Sequence, residues 1–436
     1  MRILLVCPFY PPEGEIAALR IGEFAKHWAR TGHEVHVLTR EPLSTGTVMP
    51  THPNITVTRI PDPLMRFSRN HSATSATTSR STLGVSGRLR QRIVRFGKAF
   101  IVPDIFVAWA LRSGWRSRRE VPEADVVVAS GGPLSALLLG AHLARRHRST
   151  LVFDFRDPVA SNPMNPRGRL RTALDTVLER RAMRSVDIAC TVGPALAAQL
   201  SELHTRPVVV IMNGYDAEET VPPTPDTDST LLKIIYTGRI YPNNTEYRPL
   251  FDAIRSANAD PFGVRVEVHY YGRSSAEFMT MADSCGAGAF VIDHGEVPHR
   301  EAVEAQSSAD VLLLLLWNDP RAVGVFGGKL FEYIGAQRPI LMLGYQEGDA
   351  ARAVRENELG LASNTAEDIS RYLLALAQEK RESGAVPSPS GIRTSPFTRE
   401  AQSALLLAEI EEVRRCGGAH GSSQPSPRGP RRATLG

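Results

Sequence analysis

Cysteine is scarce in this sequence. The four cysteines lie far apart, without a C-x-x-C spacing or a nearby pair of histidines: Cys7, Cys190, Cys285 and Cys416. This spacing supports neither a disulfide framework nor a zinc site. Thiols without disulfide partners are typical of a reducing compartment, so we expect a cytoplasmic protein.

Long hydrophobic runs are also missing. The longest runs, Ile105 to Leu111 and Val311 to Trp317, fall far short of the roughly 18 residues needed to span a bilayer. The N-terminal run at residues 3–7 is broken by Pro8 and is too short for the core of a signal peptide, so it predicts a β-strand. Any membrane contact is therefore expected to be peripheral.

The composition is otherwise ordinary. Apolar residues make up 42% and charged residues 22%, which excludes collagen-like, coiled-coil and wholly disordered chains, and 436 residues predict about two to three domains. Charge is uneven, because residues 1–218 hold 29 Lys and Arg against 18 Asp and Glu, whereas residues 219–436 hold 22 against 28. The basic excess lies in residues 51–119, with 13 basic and 2 acidic side chains.

The hydrophobic pattern repeats a strand, a helix and a strand. The strand at residues 3–7 precedes a helix with Phe24 and Trp28 on its apolar face, and a second strand follows at Val35 to Thr39. Such βαβ units build parallel sheets, whose strands are continuous apolar runs because both faces are covered. Further strands are predicted at 125–129, 151–153, 188–191 and 208–211, with helices near 134–146 and 170–184, and a second series of strands at 232–237, 266–271, 290–292, 311–316 and 339–343. We therefore predict an α/β protein with two doubly wound parallel-sheet domains.

A proline-, threonine- and aspartate-rich stretch, typical of a linker, divides the two series. We predict an N-terminal domain at 1–218, with a basic insertion at about 65–119, and a C-terminal domain at 219–396. The amphipathic helix at 397–415 is expected to return to the N-terminal domain. The tail at 416–436 lacks the apolar content to fold.

Ligands of such folds bind at the carboxyl ends of the strands, so the loops after strands are the first candidates. One such loop contains Gly14, where the backbone can approach a ligand closely, and leads into a helix with Arg20. Another ends in Gly238 and Arg239, where an arginine can bind a diphosphate with two hydrogen bonds. A plain turn and a solvated surface arginine are the alternative interpretations of these two loops.

A third loop is the most informative. The pair Gly327 and Gly328 opens a helix that contains Lys329 and, three residues later, Glu332. The N–H groups at the start of a helix and a lysine can bind phosphate oxygens, and a carboxylate can accept two hydrogen bonds from a ribose diol. A capped helix with an i, i+3 Lys–Glu pair is the alternative. Leu330 is expected to be core in either case.

Six segments, in this order and at these spacings, resemble retaining glycosyltransferases of family 4: MRILLVCPFYPPEG, TGHEVHVLT, LVFDFRDP, MNGYD, IYTGRIYP and GGKLFEYIGAQRPIL. The resemblance covers residues 1 to about 415, and the last segment is similar to the branch with a K-L-F-E-Y motif that is common in bacterial polysaccharide and natural-product glycosylation. It implies the GT-B fold of two facing Rossmann-like domains. It also implies sugar transfer from a nucleotide diphosphate sugar, held by the C-terminal domain, to a hydroxyl acceptor held by the N-terminal domain, without a metal ion or other cofactor.

The resemblance gives donor-binding roles to particular residues. Glu332 matches the glutamate that binds the ribose, and Arg239 matches the arginine that neutralises the diphosphate. Gly14 matches the glycine whose backbone faces the phosphates, and Lys329 matches the lysine that opens the K-L-F-E-Y motif. The other donor-binding candidates flank these positions: Gly238, Phe326, Gly327, Gly328 and Leu330. Gly324 stands where the family usually has a glutamate that contacts the sugar, so the identity of the sugar is harder to infer.

Charge determines the expected mechanism. Breaking the bond to the anomeric carbon leaves negative charge on the diphosphate, so preorganised cations lower the barrier electrostatically. Arg239 and Lys329 are therefore the catalytic candidates. The resemblance implies that the leaving phosphate itself takes the proton of the acceptor, so that no protein nucleophile is required.

The acceptor-side candidates all lie near the predicted ends of N-terminal strands: Glu15, Arg20, Ser130, Gly131, Asp154, Arg156 and Asp157. Asp154 and Asp157 are expected after a strand, where they can orient the acceptor. Hydrogen bonding within the loop beside Arg156 is the alternative interpretation. Residues 129–133 contain no histidine, although many relatives have one near the reacting sugar.

Residues 88–102 predict a basic amphipathic helix, with Leu89, Ile93 and Phe96 on one face and arginines around it. This helix can bring the enzyme to a lipid-linked acceptor at the inner, anionic face of a membrane. It can equally pack its apolar face onto its own domain. Nucleic-acid binding is not expected, because no reader module is recognisable.

Two other functions stay open at this point. A nucleotide-sugar epimerase of the GT-B fold would need acid and base groups between the domains, and the sequence places none. A non-catalytic sugar-nucleotide-binding protein is compatible with Gly324 at the position of the usual glutamate.

Overall fold

A computed structural model describes residues 1–14, 16–42, 51–64, 101–156, 159, 168–224, 226–240, 246–259, 264–273, 276–389 and 394–419. The chain divides into two compact units. The first comprises Met1–Val192, Leu196–Ile211 and the chain from Ser403 onward, and the second comprises Gly193–Ala195 and Met212–Gln402. Each unit is built around one parallel sheet.

The first sheet has seven strands in the order β3-β2-β1-β4-β5-β6-β7. These strands are β1 (Arg2–Val6), β2 (Glu34–Arg40), β3 (Ile55–Ile60), β4 (Val126–Gly131), β5 (Thr150–Phe155), β6 (Ile188–Thr191) and β7 (Val209–Val210). Leu4 of the central strand is in register with His36 of β2 and Val127 of β4. Successive side chains of β1 enter different cores, Ile3 on one face of the sheet and Leu4 on the other. A strand buried on both faces must be apolar throughout, which explains the N-terminal run.

The second sheet has six strands in the order β10-β9-β8-β11-β12-β13. These strands are β8 (Leu231–Thr237), β9 (Arg265–Tyr271), β10 (Val291–Asp293), β11 (Val311–Leu315), β12 (Ile340–Leu343) and β13 (Gly360–Ala362). Leu312 of β11 pairs with Ile235 of β8 and Ile340 of β12. The strand pairs of both sheets run parallel, which confirms the predicted pair of doubly wound α/β domains.

Helices and short 3₁₀ turns connect the strands. The helices are α1 (Ile16–Arg30), α2 (Val107–Glu120), α3 (Leu134–His147), α4 (Arg169–Met183), α5 (Pro194–His204), α6 (Arg248–Asn258), α7 (Ala276–Ser284), α8 (His299–Ser307), α9 (Gly328–Ala336), α10 (Asp349–Glu356), α11 (Ala366–Ser383) and α12 (Arg399–Ala419), and the 3₁₀ turns are Gly288–Phe290, Pro320–Ala322 and Ser395–Phe397. No helix in the described ranges is long and apolar enough to cross a membrane.

Both faces of the first sheet are covered by helices. On one face, Trp28 of α1 packs with Leu406 and Ile410 of α12, and its ring N–H donates to the carbonyl of Ser403 at 3.1 Å. On the other face, α2, α3 and the C-terminal end of α4 contribute buried side chains, among them Trp109 and Met183. The two layers leave the carboxyl ends of the strands available for loops.

Several elements differ from the expectations. β3, β13 and α2 were not predicted, and no bounds were predicted for α5–α8, α10 and α11. β5 continues to Phe155, so that Asp154 lies inside the strand rather than after it. The last helix extends to Ala419. The predicted basic helix at 88–102 lies outside the described residues up to residue 100, as do Glu15, Asp157 and the tail from residue 420.

A buried ion pair joins a helix of the second unit to its sheet. Lys380 of α11 donates to Asp310, just before β11, and to the carbonyl of Leu231 in β8, each at 2.7 Å. Both charged side chains are 0% exposed. Burial raises the pKa of Asp310 above its usual range even though Lys380 lies beside it.

We predict that Lys380→Met lowers the free energy of unfolding by about 3–5 kcal/mol, because it leaves a buried carboxylate without its cation. The control is Lys233→Met, since Lys233 contacts Asp226 at the same 2.7 Å but its side chain is 21% exposed. That change should cost about 1 kcal/mol or less. Urea unfolding of both variants measures the difference, and equal losses would contradict the prediction.

Candidate functional site

The second sheet changes its strand order at β8, which lies between β9 and β11. Ligands of doubly wound sheets bind at such a switch point, beyond the carboxyl ends of the strands. The loop after β8 contains Gly238 and Arg239, and the chain after β11 leads to α9 with Lys329. The topology therefore brings together two of the three loops that the sequence selects.

Gly238 provides a bare stretch of backbone under a lysine side chain. Its φ of +123° favours glycine, and a Cβ at this position would lie 3.2 Å from Cε of Lys329. The peptide is fixed on both sides, because its N–H donates to Tyr271 at 2.8 Å and its carbonyl accepts from Tyr270 at 3.0 Å. A larger residue would strain the backbone at this φ and would push the end of the Lys329 side chain aside by a few tenths of an ångström.

Arg239 follows this fixed turn. Its carbonyl accepts a hydrogen bond of 3.0 Å from the hydroxyl of Tyr236, while the residue as a whole is exposed. The backbone is thus anchored and the guanidinium lies at the surface. This arrangement suits a cation that must reach an anionic ligand.

The start of α9 combines two glycines with Lys329 and Glu332. Gly327 precedes the helix with a φ of +67°, and a Cβ there would lie 2.9 Å from the side chain of Leu316. The ammonium of Lys329 donates to Glu332 at 2.7 Å, and the two side chains are 31% and 28% exposed. The positive end of the helix dipole and the lysine therefore lie together at an accessible helix N-terminus.

Phe326 and Leu330, two further donor-binding candidates, are buried in the core of the second unit. Phe326 is 7% exposed and packs against Phe331, and Leu330 is 0% exposed. The N–H of Leu330 already donates to Gly327 at 3.3 Å. These two residues anchor the loop in the core, whereas the side chains of Lys329 and Glu332 reach the solvent.

Gln306, at the end of α8, links Glu332 to the sheet. Its amide donates to Glu332 at 3.2 Å and to the hydroxyl of Thr237 at 2.8 Å, and the residue is 2% exposed. Thr237 in turn donates its N–H to the hydroxyl of Tyr333 at 3.2 Å. A buried polar chain thus holds Glu332 against the end of β8. Sequence reasoning missed it, because Gln306 lies 69 and 26 residues from its two partners and no motif surrounds it.

A histidine adds to the charge around Glu332. The imidazole of His299 lies 3.7 Å from the carboxylate of Glu219. The interaction with the Glu219 carboxylate, supported by the nearby charge of Glu332, raises the pKa of His299 above its usual range. The surroundings of Glu332 therefore contain a group that gains a proton more readily than an ordinary histidine.

The first sheet has its own switch point, at β1 between β2 and β4. A buried ion pair lies close to it. The guanidinium of Arg20 donates to both carboxylate oxygens of Asp154, at 2.9 and 3.2 Å, and to the carbonyl of Ile211 at 2.9 Å. Ser130 donates to the same carboxylate at 2.8 Å, and the Cys190 thiol lies 3.6 Å from it. Three acceptor-side candidates are therefore brought together, but they bind one another.

This carboxylate remains charged. Burial alone would raise the pKa of Asp154, but the Arg20 guanidinium and the Ser130 hydroxyl outweigh it and hold the pKa below the usual range. The two side chains are 1% and 0% exposed. The pair is thus a closed structural unit in this state of the molecule.

The remaining first-unit candidates surround this pair less tightly. Gly131 ends β4, where a Cβ would lie 2.8 Å from the carbonyl of Pro133, and the Arg156 guanidinium lies 3.7 Å from the Cβ position of Gly132. Gly14 is exposed. A second buried pair, Glu13 with Arg40 at 2.7 Å, holds the loop before Gly14 and was not predicted.

Among the residues that the structure describes, no group of three or more His, Cys, Asp or Glu side chains is arranged to hold a metal ion. The expectation of a metal-independent enzyme stays a prediction.

Comparison with known proteins gives one family match. Residues 17–214, slightly less than half of the chain, match the family model described as a glycosyl transferase 4-like domain. A search of curated proteins returned no significant match.

Solved glycosyltransferase structures align with almost the whole chain. Sucrose-phosphate synthase from Thermosynechococcus elongatus is 13% identical, covers 96% of this chain and 100% of its own, and has a TM-score of 0.60. Anabaena HepE in complex with UDP and glucose is 14% identical, covers 94% of this chain and 100% of its own, and has a TM-score of 0.57. A glycosyltransferase from Rickettsia africae is 12% identical, covers 95% of this chain and 98% of its own, and has a TM-score of 0.55. The chain has the GT-B fold. Together with the family match, this fold supports a GT4-like glycosyltransferase.

The Arg20–Asp154 pair gives a stability prediction. We expect Asp154→Leu to lower the free energy of unfolding by about 3–5 kcal/mol, because it leaves the buried guanidinium unpaired. The double variant Arg20→Met/Asp154→Leu should recover most of this loss, because both charges are removed together. Guanidinium chloride unfolding measures both. A double variant as unstable as the single one would show that the pair is not the source of the loss.

Proposed function

We propose that the protein is a retaining glycosyltransferase that moves a sugar from a nucleotide diphosphate sugar to a hydroxyl acceptor of glycan, lipid-linked or natural-product type. The observation that carries the proposal is the group at the second switch point, where Lys329 and Glu332 lie beside the bare backbone of Gly238. Anabaena HepE, which shares the fold, was solved with UDP-glucose. A donor of this class fits the two charges of the group.

The diphosphate binds at the N-terminus of α9 in this proposal. Lys329 and the helix dipole supply positive charge on one side, and the exposed guanidinium of Arg239 supplies it from the loop after β8. The absence of a side chain at Gly238 lets a phosphate approach the backbone. Three sources of positive charge then face one dianion.

The ribose binds to Glu332. In the unliganded arrangement Lys329 occupies one oxygen of this carboxylate at 2.7 Å, and Gln306 holds it at 3.2 Å. When the donor arrives, Lys329 turns to the phosphate and the ribose hydroxyls take its place, while Gln306 keeps the carboxylate in position. The Glu332 carboxylate therefore accepts hydrogen bonds both before and after the nucleotide sugar binds.

The chemistry needs cations more than a nucleophile. The bond between the anomeric carbon and the diphosphate oxygen breaks, and the acceptor oxygen bonds to the same face of that carbon. The acceptor proton passes to the leaving phosphate. Arg239 and Lys329 stabilise the charge that develops on the diphosphate. Electrostatic stabilisation of this kind is commonly the largest single contribution to lowering such a barrier.

The buried pair of the first unit has a positioning role in this proposal. Asp154 and Arg20 are enclosed, so they do not bind the acceptor directly. They fix the ends of β4 and β5, from which Ser130, Gly131 and Arg156 present the backbone and the guanidinium to the acceptor.

A panel of nucleotide sugars tests the activity itself. Transfer to an acceptor, or slow hydrolysis that releases free nucleoside diphosphate, supports the proposal. Interconversion of the sugar without release would instead identify an epimerase. Tight binding without any turnover would identify a non-catalytic binding protein, for which Gly324 in place of a glutamate is the motivating feature.

Glu332→Ala should weaken nucleoside diphosphate binding by about 10- to 100-fold, because hydrogen bonds to a charged group contribute about 1.5–3 kcal/mol. Calorimetric titration with the nucleoside diphosphate selected by the panel measures this loss. The matched control is Glu304→Ala in α8, whose carboxylate contacts only the exposed Arg300 among the described ion pairs and should leave affinity unchanged. Equal affinity of Glu332→Ala and the wild type would refute the ribose role.

A further inference from the structure

Two helices of the first unit expose large hydrophobic side chains. On α2, Leu111 is 73% and Trp115 is 69% exposed, and on α4, Leu170 is 87%, Val177 is 62% and Leu174 is 42% exposed. Half of the large exposed hydrophobic side chains in the described ranges lie on these two helices. Exposed apolar side chains that are scattered singly are normal, whereas a concentration of them marks an interaction surface.

Helix α4 is held with its apolar face outward. Its acidic side chains point inward, where Asp175 pairs with Arg171 at 3.1 Å and Glu179 pairs with His204 at 2.8 Å. Both carboxylates are buried, at 0% and 1% exposure. Rotation of the helix to bury Leu170 would break the pair of Glu179 with His204 of α5, and it would separate Arg171 from the carbonyl of Ile101. The outward direction of the aliphatic side chains is therefore fixed by the fold.

Helix α2 also directs polar side chains inward and apolar side chains outward, although less completely than α4. Its buried face consists of Trp109, Ser113 and Ser117. Leu111 and Trp115 lie one turn apart on the opposite side. Two serines are thus directed inward while a tryptophan faces the solvent.

The two helices belong to one side of the unit. Helix α3 lies between them in contact with both, and the three form the layer on one face of the sheet. The side chain of Arg171 in α4 donates to the carbonyl of Ile101, just before α2, at 2.7 Å. The exposed apolar residues of α2 and α4 therefore lie on a common outer layer.

Arginines surround these apolar residues. The exposed cations of α2 and α4, with the residue after α4, are Arg112, Arg118, Arg119, Arg169, Arg180, Arg181 and Arg184. The exposed acidic side chain of the two helices, Glu120, is paired with Arg116 at 2.6 Å. We refer to these seven arginines with Leu111, Trp115, Leu170, Leu174 and Val177 as the arginine-apolar surface. It has a strong positive charge.

We propose that the arginine-apolar surface docks on an anionic lipid bilayer. Apolar side chains flanked by arginines, with a tryptophan among them, match the boundary between headgroups and acyl chains. The arginines attract anionic headgroups, and their aliphatic stems lie along the same boundary. A protein partner would need a matching acidic face, and this alternative is an outcome of the test. The surface contains no residue of the predicted helix at 88–102, and the inference does not depend on the proposed function.

Flotation with lipid vesicles tests the proposal on the full chain. We expect it to float with vesicles of equal parts phosphatidylglycerol and phosphatidylcholine at low salt, to float less at high salt, and to stay behind with phosphatidylcholine alone. Neutralising two arginines, in Arg180→Gln/Arg181→Gln, should weaken binding about thirty-fold. Replacing the apolar side chains, in Leu170→Gln/Leu174→Gln/Val177→Gln, should abolish most of it.

The control variant is Leu405→Gln, which replaces a leucine of α12 that is 38% exposed and should float like the wild type. Thermal unfolding identifies a variant that fails to fold, in which case the arginine variant decides. In a Trp317→Phe background the remaining tryptophans are Trp115 and the fully buried Trp28 and Trp109, so a shift of the emission to shorter wavelength reports Trp115. We expect this shift only with anionic vesicles. Absence of flotation with anionic vesicles overturns the proposal. Undiminished flotation of both α4 variants also overturns it, because binding would then reside elsewhere in the chain.

Discussion

The ion pair between Arg20 and Asp154 holds the first sheet at its switch point. The carboxylate lies in β5 and accepts hydrogen bonds from α1 and from Ser130 in β4, and the guanidinium continues to the carbonyl of Ile211 after β7. A buried charge of either sign cannot lose its partner without a large cost, so these elements must keep their register together. Asp310 and Lys380 connect β8, the start of β11 and α11 in the second unit in the same way. The loops beyond the strands can be shaped for binding because the strands below them are fixed.

Much of the fold could be predicted, because strands buried on both faces must be apolar throughout. The pattern is clearest at residues 3–6 of β1, 126–129 of β4, 311–315 of β11 and 340–343 of β12, which are apolar throughout. Three of the elements that were missed lack a clear apolar pattern: β3 is a half-exposed edge strand, β13 has three residues, and α2 directs Ser113 and Ser117 inward. Helix α4 was predicted as a helix, but its apolar residues indicate the wrong face. Local periodicity identifies a helix, whereas its orientation depends on the distant partners of its buried charges.

The candidate site was predictable only where its residues are neighbours in sequence. Lys329 and Glu332 stand three residues apart after a pair of glycines, and this spacing predicts that their side chains are in contact on one face of a helix. Gln306, Thr237 and Tyr333 come together only because β8, α8 and α9 converge at one end of a sheet. Asp154 was expected in a loop, because the change from apolar to charged residues suggests the end of a strand. The strand continues through Asp154 because the guanidinium of Arg20 pairs with the carboxylate.

The contact between Lys329 and Glu332 has a consequence for ligand discrimination. Before a donor arrives, each charge satisfies the other, so the site is already occupied by its own side chains. A free phosphate would take Lys329 and leave Glu332 with less than its full set of donors, and a free nucleoside would do the reverse. A molecule with both groups replaces both halves of the contact at once. Under the proposed function, the two halves of the ligand therefore bind cooperatively, and cellular phosphate is a weaker competitor than its charge alone would suggest.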